Sequence, residues 1–198
     1  RPGLHFDGNT PARTKARVSV FGQSSTLGFW FKPQTGKKSC LFSQTLVSPA
    51  DSIPVKLFYN DDATLSLLFG DQLVTSQRKA VGVDGKPEQD WMYLAMAYDE
   101  ASRRVDVYNL SGTSTEAQSK YISTTVNGIS NVVNCNVPMY VGGSGDGDEC
   151  HTDMEGLVLY DGAKLFADIA KDKNNKHTAN LRGLLAYWPM EKGYGKTV

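Results

Sequence analysis

The sequence predicts an all-β protein in which two antiparallel sheets pack face to face as a jelly-roll sandwich. Three observations carry this prediction. Short runs of apolar, β-branched and aromatic residues recur along nearly the whole chain, and several alternate with period two, as strands with one buried face do. Clusters of Asn, Asp, Gly and Pro punctuate them at turn positions. Helical spacing of apolar residues is rare. The exception is residues 164–171, where Leu165, Phe166 and Ile169 fall on one face and Lys171 lies near the end. That stretch predicts one short surface helix. A chain of 198 residues can enclose one full-sized core, so residues 1–198 are expected to form a single domain.

Taken in order, the predicted strands cover residues 18–20, 27–31, 40–42, 55–59, 64–69, 73–74, 91–98, 105–108, 139–141 and 157–160. Turns are expected at 60–62, 69–71, 84–87 and 111–112. Strands 91–98 and 105–108 should pair as a hairpin across residues 99–104, and 139–143 should pair with 152–160. Gly156 interrupts the last long strand and predicts a bend or bulge there. A polar loop at 171–176 precedes the apolar run 184–188, which Pro189 closes. The segment from about 180 to 198 either completes the sandwich or begins a following module. Completion is expected, because an isolated apolar strand is poorly soluble. Alternate strand aromatics should fill the space between the sheets, with Trp30 and Trp91 in the core.

Charge excludes some partners. Lys and Arg number 21, and so do Asp and Glu, giving a formal net charge of zero. No basic field favours nucleic acid or an anionic membrane. No apolar run reaches the length of a transmembrane helix, and Arg1-Pro2-Gly3 does not open a signal peptide, as would hold for a processed or trimmed chain. The three cysteines, Cys40, Cys135 and Cys150, cannot all pair internally, and no CxxC suggests zinc. They are expected to be small buried or half-buried residues. The expected 139–143/152–160 hairpin would send Cys135 and Cys150 to opposite ends, so no bridge between them is predicted.

Four segments, in order, resemble the laminin-G-like jelly-roll family, a branch of the concanavalin-like superfamily. Leu4-His5-Phe6-Asp7-Gly8 is similar to the family's opening l-x-F-D-G, and Thr26 to Pro33 to its W-bearing strand. Trp91 to Asp99, then Val105-Asp106-Val107-Tyr108-Asn109 and Gly112, resemble its central hairpin. Met139-Tyr140-Val141-Gly142-Gly143, then Met154 to Asp161, resemble its l-x-i-G-G and following strand, although Thr152 stands where the family usually has glycine. The closing Tyr187-Trp188-Pro189 is similar to junctions in tandem surface proteins of the family and to the last strand of pentraxins. The resemblance implies a non-catalytic recognition module in a larger chain, extracellular or on a cell surface, that binds glycans or surface and extracellular proteins. The alternative is a glycoside hydrolase-like carbohydrate-active enzyme or its accessory domain.

Asp153 and Glu155 could share one face of a strand, and retaining glycosidases need two carboxyl groups roughly 5–5.5 Å apart. The hydrolase relatives carry a longer acidic strand motif than Asp-Met-Glu, however, and no catalytic residue is assigned. His5, His151 and His177 share no metal-like spacing, and no G-x-S-x-G is present. Gly142-Gly143-Ser144-Gly145 lacks the lysine and helix of a phosphate loop and is expected to be a turn, as are Asp7-Gly8-Asn9 and Asn60-Asp61-Asp62. The unusual cluster is the loop at 144–149, where Asp146, Asp148 and Glu149 lie without a basic neighbour in sequence except His151. Two readings stay open: a solvated acidic turn, or a weak calcium site, since a hard cation relieves carboxylate repulsion. The resemblance to pentraxins adds to the second, because they carry an acidic loop at the corresponding place and some of its carboxylates hold calcium. Calcium is thus the one cofactor expected.

Overall fold

The computed structural model of the chain describes residues 3–8, 10–14, 21–34, 36–47, 52–82, 91–110, 115–127, 137–173 and 183–190. The predicted strand at 18–20 and the turns at 84–87 and 111–112 lie outside the described residues. The elements are β1 (Leu4–His5), β2 (Ala12–Arg13), β3 (Ser25–Pro33), β4 (Ser39–Val47), β5 (Ser52–Tyr59), β6 (Thr64–Phe69) and β7 (Gln72–Lys79). They continue with β8 (Met92–Asp99), β9 (Arg104–Asn109), α1 (Glu116–Ser119), β10 (Lys120–Thr125), β11 (Tyr140–Val141), β12 (Thr152–Asp161), α2 (Phe166–Asp172) and β13 (Leu184–Trp188).

Two antiparallel sheets result, as the strand pattern requires. The first has the order β1-β12-β3-β8-β9-β10, with β13 also paired to β12. The second has the order β2-β11-β4-β5-β6-β7. The β8–β9 hairpin forms in the expected register, with Asp99 opposite Arg104 and Ala95 opposite Tyr108. The last strand, β13, pairs with β12 from Leu157–Trp188 to Tyr160–Leu184. Gly156 marks the changeover on that edge. β1 pairs with β12 at Asp153 and Met154, β13 begins at Leu157, and the β3 register shifts between Glu155 and Val158. A positive φ of 66° at Gly156 supplies the predicted bulge.

One predicted pairing does not form. β11 lies in the second sheet between β2 and β4, whereas β12 lies inside the first. The chain turns away after Val141 because Gly142 takes a φ of 71°, and the following segment crosses from one sheet to the other. The separation expected between Cys135 and Cys150 rested on that hairpin, and Cys135 is outside the described residues. Cys40 and Cys150 are buried free thiols. The predicted surface helix is α2, but α1 was not anticipated. Its four residues are held by a capping box, in which the Thr115 side chain accepts from the Gln118 N–H and the Gln118 side chain from the Thr115 N–H.

The core lies between the sheets. Leu27, Phe29, Phe31, Leu94, Met96 and Leu157 face Phe42, Val55, Leu57, Tyr59, Leu65 and Leu67. Aromatic contacts cross the layers: Phe21 packs on Phe69 at 5.4 Å and on Tyr98 at 5.3 Å, and Phe31 on Tyr59 at 5.9 Å. The first sheet is covered on its outer face too. Tyr93, Ala95, Ala97, Tyr108 and Leu110 form a second cluster beneath α2, with Ile169 inserted among them. Strand β8 is therefore buried on both faces, not one. Trp30 belongs to this outer layer and not to the central core: it is half-buried, and its indole N–H donates to the Lys173 carbonyl at 3.1 Å. Trp91 is likewise half-buried.

Candidate functional site

The outer face of the second sheet has the opposite character. Its alternating strands send Val55, Leu57, Leu67 and Val141 into the core, which turns their neighbours outward. One row crosses all six strands: Arg13, Tyr140, Ser43, Lys56, Leu68 and Leu73 are successive register partners. Leu73 at the far end is 61% exposed. Near the other end an open groove of about 390 Å³ is lined by Ser43, Thr45, Val47, Val137, Pro138, Tyr140, Gly145 and Asp146.

The loop after β11 forms one wall of this groove. Ser144 and Asp148 close it on itself. The Ser144 N–H donates to the Asp148 carbonyl at 3.1 Å, the Asp148 N–H to Ser144 Oγ at 2.9 Å, and the Ser144 hydroxyl to Asp148 Oδ2 at 2.8 Å. The loop's far end is fixed to β4, where the Cys40 N–H donates to the Glu149 carbonyl at 2.8 Å and the His151 N–H to Ser39 Oγ at 2.8 Å. Gly145 lies against the Tyr140 ring so closely that a Cβ there would come within 2.9 Å of Cζ. The loop and the tyrosine are thus packed as one unit.

Beneath the loop lies Lys56, and this residue changes the electrostatics that the sequence suggested. As a strand residue pointing outward it would ordinarily reach water, yet it is 8% exposed. Its ammonium donates to Asp146 Oδ1 at 2.9 Å, Asp146 Oδ2 at 2.8 Å and Asp148 Oδ2 at 2.5 Å. Burial works against the lysine's charge, but its hydrogen bonds to Asp146 and Asp148 outweigh burial, and its pKa is raised. The hydrogen bond from Lys56, followed by the one with Ser144, holds the Asp146 carboxyl below the usual range.

Of the three residues expected to hold calcium, the fold brings two together and not the third. Asp146 and Asp148 converge on Lys56, while Glu149 lies 3.2 Å from His151 Nε2. Among the described residues, no group of three or more His, Cys, Asp and Glu side chains is disposed to hold a metal ion. A cation entering between Asp146 and Asp148 would have to displace the ammonium, so the donor set as placed does not fit calcium. The loop has no basic neighbour in sequence except His151, and the fold supplies one from a distance: Lys56, 90 residues earlier than Asp146.

The other carboxylates considered lie elsewhere. Asp153 and Glu155 are on β12, in the first sheet. Asp153 is 2.5 Å from His5 Nδ1 across the β1 pairing, and Glu155 is the register partner of Trp30. On that side, a cleft of about 260 Å³ between β9 and the start of α2 is lined in part by Asp99, Arg104, Asp106, Glu116 and Lys164. Two ion pairs engage its charges, Arg104 Nε with Asp106 at 3.2 Å and Lys164 with Asp172 at 2.6 Å, and Asp99 accepts from the Ser102 hydroxyl at 2.8 Å. Sequence reasoning missed Tyr140, Ser43 and Thr45 as groove residues. Tyr140 served there as part of a strand motif. The available signal was its position one residue before a core valine and two before a glycine turn.

No protein-family pattern matches the sequence, and no curated protein is similar to it. Solved structures do share the fold. A candidate carbohydrate-binding protein from Bacteroides ovatus superposes with a TM-score of 0.66 at 13% identity, over 98% of this chain and 54% of that one. The chain thus spans about half of that protein's length. The heptameric SAP-like pentraxin of Limulus polyphemus gives 0.63 at 13% identity, over 95% and 91%. The IT-sialidase CBM40 of Ruminococcus gnavus, bound to α2,6-sialyllactose, gives 0.57 at 9% identity, over 86% and 96%. The chain thus has the two-sheet jelly-roll sandwich fold of these structures.

Proposed function

We propose that this chain is a non-catalytic glycan-binding module whose site is the groove beside Tyr140. The observation that carries the reading is the composition of that groove. An aromatic ring and the apolar Val47, Val137 and Pro138 lie next to two hydroxyls, Ser43 and Thr45, and the carboxylate of Asp146. A pyranose has the complementary surface: apolar C–H faces that stack on an aromatic ring, and an equatorial belt of hydroxyls that donate to a carboxylate. Few polar groups on a mostly apolar concave wall are what a small-molecule site requires. Asp146 is fixed by Lys56, so little side-chain freedom is lost when a sugar binds. Solved structures of the same fold include one with sialyllactose bound, which supports the class of ligand. Sialyllactose is acidic, whereas the charged lining residue here is a carboxylate. A neutral sugar is the better match.

On this reading the module is extracellular or displayed on a cell surface, and it serves as one unit of a longer chain. A glycan array followed by calorimetry tests it. Neutral glycans should be retained in preference to sialylated ones, and Tyr140→Ala should weaken retention at least tenfold while leaving the melting temperature within a few degrees. Absence of any retained glycan, or binding indifferent to Tyr140→Ala, would overturn the assignment.

A further inference from the structure

We propose that Lys56 is the permanent cation of this loop: its ammonium stands between Asp146 and Asp148 where a divalent metal would otherwise be needed, so the site is built without metal. Two carboxylates brought together over a sheet repel each other unless a positive charge lies between them. A divalent ion is one solution and an internal ammonium is another. Here the ammonium makes three hydrogen bonds, two to Asp146 and one to Asp148. It makes them from a side chain almost wholly removed from water.

The arrangement is determined by the strand. Val55 and Leu57 face the core, so Lys56 must face outward, with Ser43 and Leu68 as its register partners on either side. The loop that packs over it brings the compensating charge. Removing an ion pair's cation leaves the anions partly desolvated and unpaired, which is the costly half of breaking such a pair. The same removal leaves two convergent carboxylates and the Ser144 hydroxyl around the vacated space, all oxygen donors of the kind calcium prefers. Lys56 is accordingly a positioning residue that aims Asp146 into the groove. That ligand binding proceeds without metal rests on the glycan reading above; the identity of the loop's cation does not.

Calcium titration of the protein alone separates the two. For the native chain, calorimetry up to 10 mM calcium should show no saturable heat. Melting temperatures in EDTA and in 10 mM calcium should coincide. Lys56→Met and Lys56→Ser should melt lower than the native protein in EDTA, and calcium should raise them. Binding at about 1 mM Kd predicts a recovery of roughly 3–6 °C at 10 mM. Adding Asp146→Asn and Asp148→Asn to Lys56→Ser should abolish the recovery. Saturable calcium binding or a calcium-dependent melt in the native protein would overturn the proposal, as would Lys56 variants that fold and ignore calcium. Should neither variant fold, the native titration still decides. Glycan arrays that come back empty would sink the glycan reading and leave these calcium measurements unaffected.

Discussion

Replacing Gly142 with alanine should destabilise the protein through two separable terms. The residue has a φ of 71°, in the left-handed region, where an alanine pays roughly 1–2 kcal/mol. The added Cβ would also come within 2.2 Å of Phe6 Cε1 and 2.3 Å of Cδ1. Phe6 is buried at 7% exposure, and its own N–H donates to the Thr152 carbonyl at 2.9 Å, so the ring has little freedom to withdraw. Forcing extra volume into such packing costs about 1–3 kcal/mol. The sum is roughly 2–5 kcal/mol, and at about 2–4 °C per kcal/mol for a chain of this size the melting temperature should fall by about 4–20 °C. Gly162 provides the control. Its φ is 79°, but nothing lies within 4 Å of a Cβ built there, so Gly162→Ala should show only the backbone term, about 2–8 °C. Thermal melts of the two variants side by side read the Phe6 contact as their difference. Equal melting temperatures would refute the reasoning, because they would mean that Phe6 yields freely.

Two further outcomes are expected beside those on glycans and calcium. Cys40 and Cys150 should resist iodoacetamide at pH 8 in the folded protein and react once it is unfolded, since burial pushes the Cys150 thiol up to about 11 and raises Cys40 further; peptide mapping that finds either alkylated under native conditions would contradict the burial. The Lys56–Asp146 pair should give a definite pH signature. Asp146 is held below the ordinary aspartate value of 3.8, so its contribution is present above that pH and is lost as the pH falls through the lowered value. Lys56 is raised above 10.5, so its contribution is complete below that pH and is lost only as the pH climbs past the raised value. The melting difference between native protein and Asp146→Asn should therefore be level across neutral pH and shrink as the pH falls below 3.8, and it should be small because Asp146 is 68% exposed. A difference that does not shrink in acid would show that the pairing is not its source.

Local features of this fold were legible in the sequence, and features that depend on which sheet a strand joins were not. The β8–β9 hairpin joins two strands through a short turn, so pattern and turn chemistry sufficed to place it. Gly156 within an apolar strand announced the bulge. β11 and β12 look just as much like a hairpin, yet they belong to different sheets. Nothing within 139–161 states that β11 has only two paired residues and finds its partners in β4 and β2. Alternation also failed for β8, because whether a strand's second face is wet depends on a helix some 70 residues later.

The site repeats this division. The excess of acid at 144–149 is visible in the sequence, and so is a lysine at an outward position of the strand bearing Val55 and Leu57. Each taken alone has an ordinary explanation, a solvated turn and a solvated strand face. Their conjunction follows from three facts of the fold: β4 and β5 are neighbours, β11 is laid against β4, and Gly142 turns the chain back across them. Once the loop covers the strand, the Lys56 ammonium can no longer be solvated by water, and Asp146 and Asp148 supply the partners it requires. A calcium ion inferred from the loop alone is then an answer to a repulsion that the fold has already neutralised. Sequence can count the carboxylates of such a loop, but it is the crossing of the chain over β5 that decides which cation meets them.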